Sequence, residues 1–367
     1  MKKRINQKKN NQKKLKQMKK LLLSFVVLPG ALAMAQVGIN TEEPQAMLDI
    51  SAKDNQKGDL RIQDVEEKEK TDWILIWDEN DQKVNRTSLS EIKREILNEI
   101  RIDYIRKKYP DRAGDIINKI KKCTPENIIF DKHFGDGKHD FVYCATTVNV
   151  TDYYTDTNYN KTWLNLNLGA EYANINSPHF NPTVNKTGET IHTDENLYGS
   201  YYQWQRASDG HEFKNSEKTR EKASSWTNTG EAAGKFITDS FDWVDGGEKA
   251  SGSEIQLWQA GGVNNPCPLG YHVPTIEEWT VLINLLERDD NRMFTQTKLP
   301  NLATGGSRDF DGSLENDGSG TYWSSSSEDA FYRSDTFYFH SDGNNYGYVY
   351  YSGTLRYAGK NVRCIKD

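Results

Sequence analysis

Residues 309–317 form an acidic segment whose residue types and spacing could bind a metal ion. Asp309, Asp311 and Asp317 alternate with the glycine, serine and asparagine residues that favour turns. Hard cations such as Ca²⁺ bind carboxylate and carbonyl oxygens that a flexible turn presents together. The spacing is not that of an EF-hand, and the alternative is an ordinary acidic surface loop. Calcium is therefore the one cofactor that the sequence suggests.

Cysteine is the second residue type that could carry chemistry. The four cysteines are Cys123, Cys144, Cys267 and Cys364, and no Cys-x-x-Cys pair occurs, so a zinc knuckle or a thioredoxin-type site is unsupported. Four cysteines allow three pairings, and we favour Cys123–Cys144 with Cys267–Cys364. The second pair would join the start of one half of a domain to its last strand. The alternative is four free thiols.

His272 and the serines at 324–327 are further candidates for chemistry. The serines follow Trp323, and no Gly-x-Ser-x-Gly elbow is present. We therefore interpret Trp323 as a buried residue and the serines as hydroxyls at the end of a strand. His272 is interpreted as a buried, hydrogen-bonded structural residue. No catalytic set emerges, and the chain is not predicted to be an enzyme.

A cluster of aromatic residues near the C-terminus is the candidate ligand-binding surface. Tyrosine offers rigid contact area at low entropic cost, as binding surfaces require. The alternative is packing within the core and between strands. Strand alternation should send about half of the side chains outward, and these are the expected binding residues. The cluster consists of Tyr338, His340, Tyr346, Tyr348, Tyr350, Tyr351 and Tyr357.

The elements that must position these residues can be predicted from the pattern. Residues 336–340, 346–351 and 361–365 alternate as consecutive antiparallel strands do, with turns at Asp342-Gly343 and Gly359. Upstream, residues 275–286 have the pattern of a helix. Thr275 and Glu278 form a capping box at its start. The helix places three apolar residues on one face: Trp279, Leu282 and Leu286.

The N-terminus predicts export. Residues 1–35 combine a basic region, an apolar run and a final Ala33-Met-Ala35, as a secretory signal peptide does. Met18 is an alternative start of translation. The alternative function is a membrane anchor, but the apolar run of about 15 residues is shorter than the roughly 20 that span a bilayer. No later segment is apolar enough to span a membrane, so we expect a secreted or cell-surface protein.

The charge of the chain disfavours nucleic-acid binding. Residues 1–20 hold ten of the 47 lysines and arginines and none of the 53 acidic residues. Once the signal segment is removed, the remaining chain has a net charge of −16. An acidic surface repels a phosphate backbone. We therefore expect extracellular partners other than nucleic acid.

Residues 36–87 are predicted to be a small β module. Leu48 with Ile50, and Leu60 with Ile62, show the spacing of short strands, and residues 73–87 read as a hairpin. The start, Val37-Gly-Ile-Asn-Thr-Glu-Glu-Pro-Gln-Ala-Met-Leu-Asp-Ile50, resembles the head module of bacterial surface and fibre proteins. Asn40 stands where that module usually has glycine. Such modules are often trimeric in fibres, so the resemblance implies a homotrimer.

Residues 88–122 are predicted to be helical. Ser88 or Ser90 can cap the first helix, with Glu91 three residues after Ser88. Tyr109-Pro110 interrupts the pattern, and residues 115–122 form a second helix. The segment is either an oligomerising stalk or a helix that packs on its own domain, since the stripe is short for a coiled coil. The stripe consists of Leu89, Ile92, Ile96 and Ile100.

Residues 123–367 contain short strands and long loops rich in glycine, asparagine and aromatic residues, with a mostly polar insertion at about 208–256. From about residue 144 onward the chain resembles the Fibrobacter succinogenes major paralogous domain, a family of secreted proteins in the C-type-lectin-like superfamily. Tyr271 stands where the family usually has tryptophan. The motifs that match are Lys161-Thr-Trp163, Tyr198-Gly-Ser-Tyr-Tyr-Gln-Trp204, Cys267-Pro-Leu-Gly-Tyr-His272-Val-Pro274-Thr-Ile-Glu-Glu278-Trp279, Tyr322-Trp323-Ser-Ser325 and Val362-Arg363-Cys364.

The resemblance implies an α+β, C-type-lectin-like domain in which these motif residues are structural. Calcium-dependent lectins of the superfamily use Glu-Pro-Asn or Gln-Pro-Asp with Trp-Asn-Asp, and none of these triplets occurs here. Formylglycine-generating enzymes of the superfamily need an active-site cysteine pair. Cys267 and Cys364 instead occupy the positions of the disulfide that closes the domain.

We therefore expect a secreted or cell-surface recognition or adhesion protein without catalysis. Its C-terminal domain would bind an extracellular protein or glycan. The alternative is a structural subunit of a surface fibre or oligomer. An enzyme of the formylglycine-generating type is the third and least favoured hypothesis.

Overall fold

The computed structural model describes residues 37–39, 48–50, 73–79, 83–152, 157–187, 190–288, 296–327, 332–340 and 347–367. The predicted signal segment at 1–35, the predicted strand Leu60–Ile62, the turn at Asp342-Gly343 and Tyr346 lie outside these residues. The chain divides into two compact units, residues 1–74 and 75–367. Within the described residues, no helix is both long enough and apolar enough to cross a bilayer.

The protein is α+β, as predicted, with four helices and several small sheets among the described residues. The helices are α1 (Leu89–Lys108), α2 (Ala113–Ile120), α3 (Thr190–Thr193) and α4 (Ile276–Arg288). The strands are β1 (Val37–Ile39), β2 (Leu48–Ile50), β3 (Trp73–Asp78), β4 (Lys83–Ser88), β5 (Ile128–Phe130), β6 (Val142–Asp152), β7 (Thr157–Leu164), β8 (Tyr202–Gln203), β9 (Lys218–Thr219), β10 (Phe236–Ile237), β11 (Tyr271–His272), β12 (Ser307–Arg308), β13 (Leu314–Glu315), β14 (Ser319–Trp323), β15 (Arg333–His340), β16 (Gly347–Leu355), β17 (Gly359–Lys360) and β18 (Ile365–Lys366).

In the first unit, β1 and β2 pair in parallel, with Val37 opposite Leu48 and Ile39 opposite Ile50. β3 and β4 form the predicted hairpin, and three larger sheets follow in the second unit. The five-stranded sheet has the order β11-β18-β7-β6-β5, the four-stranded sheet β13-β12-β17-β8 and the three-stranded sheet β14-β15-β16.

The last strand is predicted to lie next to β16, but the structure places it in the five-stranded sheet. Asn361 forms a single parallel bridge to Tyr322 of β14 instead, and β18 pairs with β11 and with Trp163 of β7. The Cys267–Cys364 disulfide holds the end of the chain beside the segment that precedes β11. The predicted turn at Gly359 is also wrong, because Gly359 begins β17 and the turn lies at 356–358.

Both predicted disulfides are confirmed. Cys123 is bonded to Cys144, and Cys267 is bonded to Cys364. Each bond lies beside a pair of antiparallel strands, since Cys144 pairs with Ile128 of β5 and Cys364 directly precedes β18, which pairs with β11. No cysteine is left as a free thiol.

The helical segment packs on the domain that follows it in sequence. Ser88 caps α1 by accepting the Glu91 backbone N–H, as predicted. Ile105 near the end of α1 and Ile116 in α2 are fully buried against Phe130 of β5 and Val142 of β6. The end of α1 around Ile105 is therefore packed on the domain, whereas residues 89–100 expose Ile96 and Ile100.

Two reciprocal hydrogen bonds between Thr275 and Glu278 cap the start of helix α4. The Glu278 backbone N–H donates to Thr275 Oγ1, and Glu278 Oε2 accepts the Thr275 N–H, which is the predicted capping box. Trp279 on the buried face packs 4.7 Å from the Phe337 ring and 5.1 Å from the Trp163 ring. The helix therefore connects the three-stranded sheet to the five-stranded sheet.

Tryptophan side chains connect segments that have little regular structure. The Trp204 indole N–H donates to the Ser324 carbonyl, and the Trp323 indole N–H donates to the Tyr202 carbonyl. Trp243 donates to the Trp204 carbonyl, and Trp258 donates to the Arg206 carbonyl. The predicted insertion at 208–256 thus contributes Trp243 to the main core, although its sequence is mostly polar.

Candidate functional site

A pocket of about 480 Å³ opens in the second unit between four loop segments. These lie at residues 138–141, 169–174, 199–216 and 234, which are far apart in sequence. The volume is within the range of small-molecule sites, about 300–1,000 Å³. This pocket is the candidate functional site.

The lining combines aromatic rings, amides, hydroxyls and balanced charge. Phe213 is half-buried, and its ring centroid lies 5.1 Å from that of His139. Two lysines and two carboxylates lie at the wall, and amide and hydroxyl groups stand between them. The polar lining residues are Lys138, Lys214, Glu171, Asp209, Asn174, Asn215, Ser200 and Ser216.

Two glycines allow the loops of the pocket to approach closely. Gly169 has φ +76° and Gly199 has φ +88°, which side chains rarely permit. A Cβ atom on Gly169 would lie 2.0 Å from Ser200 Oγ, and one on Gly199 would lie 2.6 Å from the Leu168 carbonyl oxygen. The Ser200 N–H donates to that same carbonyl, which fixes the two loops together.

A buried network of ionisable groups supports the pocket from below. His139 lies between two carboxylates, with Nδ1 2.7 Å from Asp136 Oδ2 and Nε2 2.8 Å from Glu212 Oε1. The second Glu212 oxygen accepts the Gly210 N–H at 2.9 Å. Because Gly210 lines the pocket, the network holds the shape of its wall.

A second histidine continues the network. His211 is fully buried, and its Nε2 accepts the Gln203 backbone N–H, so Nδ1 carries the proton and donates to Asp209 Oδ1 at 2.7 Å. Burial and the nearby Arg206 charge lower the pKa of His211, which favours this neutral form. Arg206 donates from Nε and Nη2 to the second Asp209 oxygen. Burial opposes ionisation of Asp209, but His211 and Arg206 outweigh it and hold its pKa well below the usual range.

Three of these groups have the types and the proximity of metal ligands. Donor atoms of Asp209, His211 and Glu212 lie within 4.8 Å of one another. The His211 nitrogens are both engaged, however, one by a backbone N–H and the other by a carboxylate. Arg206 adds a fixed positive charge beside Asp209. The chemistry of this donor set is that of a hydrogen-bonded support for the pocket.

Each carboxylate predicted to bind calcium accepts a hydrogen bond from a nearby group. Asp309 Oδ1 accepts the Tyr357 hydroxyl at 3.1 Å, Asp311 Oδ1 accepts the Ser313 N–H, and Asp317 Oδ1 accepts the Ser319 N–H. Asp209, His211 and Glu212 are the one metal-sized group in the part of the chain that the structure describes. The carboxylate oxygens of Asp309, Asp311 and Asp317 therefore do not all lie within 4.8 Å of one another, as the donor atoms of Asp209, His211 and Glu212 do.

The structure divides the predicted tyrosine surface. Tyr338 and His340 lie half-buried on one face of β15, with their rings 6.3 Å apart. Strand pairing places Tyr348 opposite Tyr338 and Tyr350 opposite Thr336, so these positions share a face. Tyr351 follows in β16 beside an irregularity in the pairing. Tyr357 is elsewhere, bonded to Asp309, and Tyr346 lies outside the described residues.

The residues matched to the family motifs are placed in the core or at its edge. His272 Nδ1 lies 2.7 Å from Asp367 Oδ1, and Nε2 lies 3.0 Å from Glu278 Oε2. The Pro274 carbonyl accepts the Ser325 N–H at 2.8 Å. Arg363 is fully buried and donates to Asn167 Oδ1 and to the carbonyls of Leu164, Pro300 and Asn301. The fully buried tryptophans of the motifs are Trp163, Trp204, Trp279 and Trp323.

Sequence reasoning missed the pocket and the network beneath it. Asp209-Gly-His211-Glu212 places three ionisable residues within four positions, three residues after Arg206, and this density is the signal that could have found them. His139 offered no comparable signal, since its partner Glu212 is 73 residues away.

No protein-family model, no curated protein and no solved structure matches this chain. What the pocket binds has to be inferred from its residues and their contacts.

Proposed function

We propose that this chain is a secreted or cell-surface recognition protein whose C-terminal, C-type-lectin-like domain binds a glycan without catalysis. The pocket beside Phe213 carries this proposal. Its size suits one or two sugar units, at about 300–1,000 Å³ for small-ligand sites. The predicted signal segment at 1–35 and the two disulfides support an oxidising, extracellular environment.

The chemistry of the pocket favours a neutral, polyhydroxylated ligand. The apolar C–H face of a sugar ring can pack on the exposed part of the Phe213 ring. Amide and hydroxyl groups of Asn174, Asn215 and Ser200 can exchange hydrogen bonds with sugar hydroxyls. Lys138 and Lys214 are balanced by two carboxylates, so neither sign of ligand charge is favoured.

The contacts of the ionisable groups support binding without catalysis. Both nitrogens of His139 and both nitrogens of His211 are engaged in hydrogen bonds. A general base needs a free lone pair directed at its substrate. The Cys267–Cys364 disulfide also leaves neither sulfur as the thiol that formylglycine-type chemistry requires.

The test is a binding experiment with a matched pair of variants. The mature chain is screened on an array of host glycans and bacterial polysaccharides, and the strongest ligand is titrated by calorimetry. Phe213→Ala should weaken binding about tenfold, which corresponds to about 1.4 kcal/mol. Phe241→Ala is the control, because this phenylalanine is exposed and lies outside the pocket.

Two results would contradict the proposal. One is an array with no glycan bound by the folded, disulfide-bonded protein. The other is an equal loss of affinity in Phe213→Ala and Phe241→Ala, because binding would then not depend on the pocket.

A further inference from the structure

Residues 89–100 of α1 and the hairpin before them expose an unusual amount of apolar surface. Leu75 is 72% exposed, Trp77 60%, Ile96 55% and Ile100 60%. Single exposed apolar residues are normal, but several within one short segment mark an interaction surface. These four residues lie within 26 positions of one another.

The exposed stripe is distinct from the side of α1 that packs on the domain. At about 100° per residue, Ile92, Ile96 and Ile100 occupy a sector about 80° wide. Ile102 and Ile105, which belong to the core around α2, point about 150° away from the centre of that sector. The stripe therefore is not a frayed continuation of the buried face. It is a second apolar face on the same helix, made by Leu89, Ile92, Ile96 and Ile100.

Charged residues flank this second face with opposite signs. Glu95 and Glu99 lie along one edge, and Lys93 lies along the other, by the same helical geometry. In two parallel helices related by a twofold axis along their length, the acidic edge of each helix meets the basic edge of its partner. An antiparallel pair would place the acidic edges against each other, which is unfavourable.

We propose that a second copy of this chain covers the exposed face of α1, with the two helices parallel and in register. Pairing of two identical chains buries the apolar stripe of each helix against the stripe of the other. It also brings the acidic edge of each helix against the basic edge of its partner. The proposal goes beyond glycan binding and does not depend on it. Since the twofold axis runs along the helices, both glycan pockets would lie at the same height along that axis. Multivalent ligands would then be bound by two sites together.

Light scattering of the mature chain, starting at Gln36, tests the association. At about 10 µM, a complex with a Kd of about 1 µM is mostly assembled, so we expect a mass of at least two chains. Ile96→Glu with Ile100→Glu should shift the mass to that of one chain. The control is Val281→Glu, which changes an exposed valine of α4 in the same way and should leave the mass unchanged. A single-chain mass for the unmodified protein, or an unchanged mass for the double variant, overturns the proposal.

Cross-linking tests the parallel arrangement and does not depend on the double variant folding. All four native cysteines are paired, so Ile100→Cys introduces a single thiol. In parallel helices the two thiols meet, and mild oxidation should convert most of the chain to a covalent dimer. In an antiparallel pair, residue 100 would lie beside the start of the partner helix and away from the partner's residue 100. A chain that associates but does not cross-link would therefore overturn the parallel arrangement. Val281→Cys should remain uncross-linked.

Discussion

His139 and Glu212 form a buried hydrogen bond, with 2.8 Å between Nε2 and Oε1, that joins the segment after β5 to the pocket loop. Asp136 faces the other ring nitrogen, so the imidazole carries both protons and a positive charge. The ring also lies against Phe213. This one side chain therefore connects the electrostatics of the interior with the aromatic wall of the pocket.

This pair predicts a loss of stability at alkaline pH. Burial lowers the pKa of His139, but the hydrogen bonds to Glu212 and Asp136 outweigh it and raise the pKa to about 9. The stabilisation is therefore fully present below about pH 6.5 and is lost as pH rises through about 9. Glu212→Gln should lower the unfolding free energy by about 1–2 kcal/mol at pH 6, after allowance for solvent screening, and should flatten the decline.

Urea unfolding at pH 6, 7.5 and 9 measures this effect. Glu217→Gln is the matched control, since this glutamate is exposed. If Glu212→Gln and the unmodified protein declined in parallel over this range, the charged pair would not be its source.

Asp131 predicts a second loss of stability with rising pH, from the burial of an acid rather than from the loss of a charged pair. Burial raises the pKa of Asp131 to about 7, so the folded state holds a proton that the unfolded state releases near pH 3.8. Stability contributed by this group is present at low pH and is lost between about pH 4 and 7. Asn has the same shape and keeps an oxygen to accept the His133 N–H. Asp131→Asn should therefore raise the unfolding free energy at pH 8 by about 2–4 kcal/mol and leave it unchanged at pH 4.

Denaturant titrations at the two pH values check this prediction, with the exposed Asp245→Asn as control. A variant less stable than the parent at pH 8 would mean that the carboxylate makes a favourable ionic contact that outweighs its burial.

The two disulfides should differ in their contributions to stability. Cys267–Cys364 closes a sequence separation of 97 residues and Cys123–Cys144 one of 21 residues. In the chain-entropy model these loops correspond to about 4.7 and about 3 kcal/mol. Replacing Cys267 and Cys364 by serine should therefore cost more unfolding free energy than replacing Cys123 and Cys144. Equilibrium unfolding of the two double variants side by side decides this, and the reverse order would contradict it.

Gly199 should be intolerant of any side chain. Its φ is +88°, and a Cβ atom would lie 2.6 Å from the Leu168 carbonyl oxygen. Gly199→Ala should cost about 2–3 kcal/mol and should weaken ligand binding, because the loops must separate. Gly230→Ala is the control, since this glycine also has a positive φ, +53°, but open space around it. Thermal unfolding of both variants separates the cost of steric crowding from the cost of backbone strain. An equal loss of stability in the two variants would contradict the argument that the loops at Gly199 and Leu168 are too close for a side chain.

Local signals in the sequence were sufficient for several elements. The capping box of Thr275 and Glu278 depends on residues three apart, and Ser88 caps α1 through its own first turn. Both disulfides could be predicted, because four cysteines allow only three pairings. The two helix caps require no knowledge of which distant segments meet.

The pocket could not be predicted for the opposite reason. Its four segments span almost 100 residues, and no periodicity links them. Buried charged residues such as Arg206 and Glu212 resemble surface residues in a sequence, because only their partners make burial acceptable. The position of β18 was mistaken for a related reason, since its pairing with Trp163 joins residues about 200 positions apart.

The indole-to-carbonyl bonds of the tryptophans have a consequence for how this protein can diversify. Trp204, Trp243, Trp258 and Trp323 fix the chain at single points by bonding to main-chain oxygens, which every residue type possesses. The intervening segments are therefore anchored without depending on the identity of the residue that accepts each bond. Loops between these anchors can change in composition and length while the frame stays intact. Such a frame is suited to presenting many different binding surfaces from one architecture.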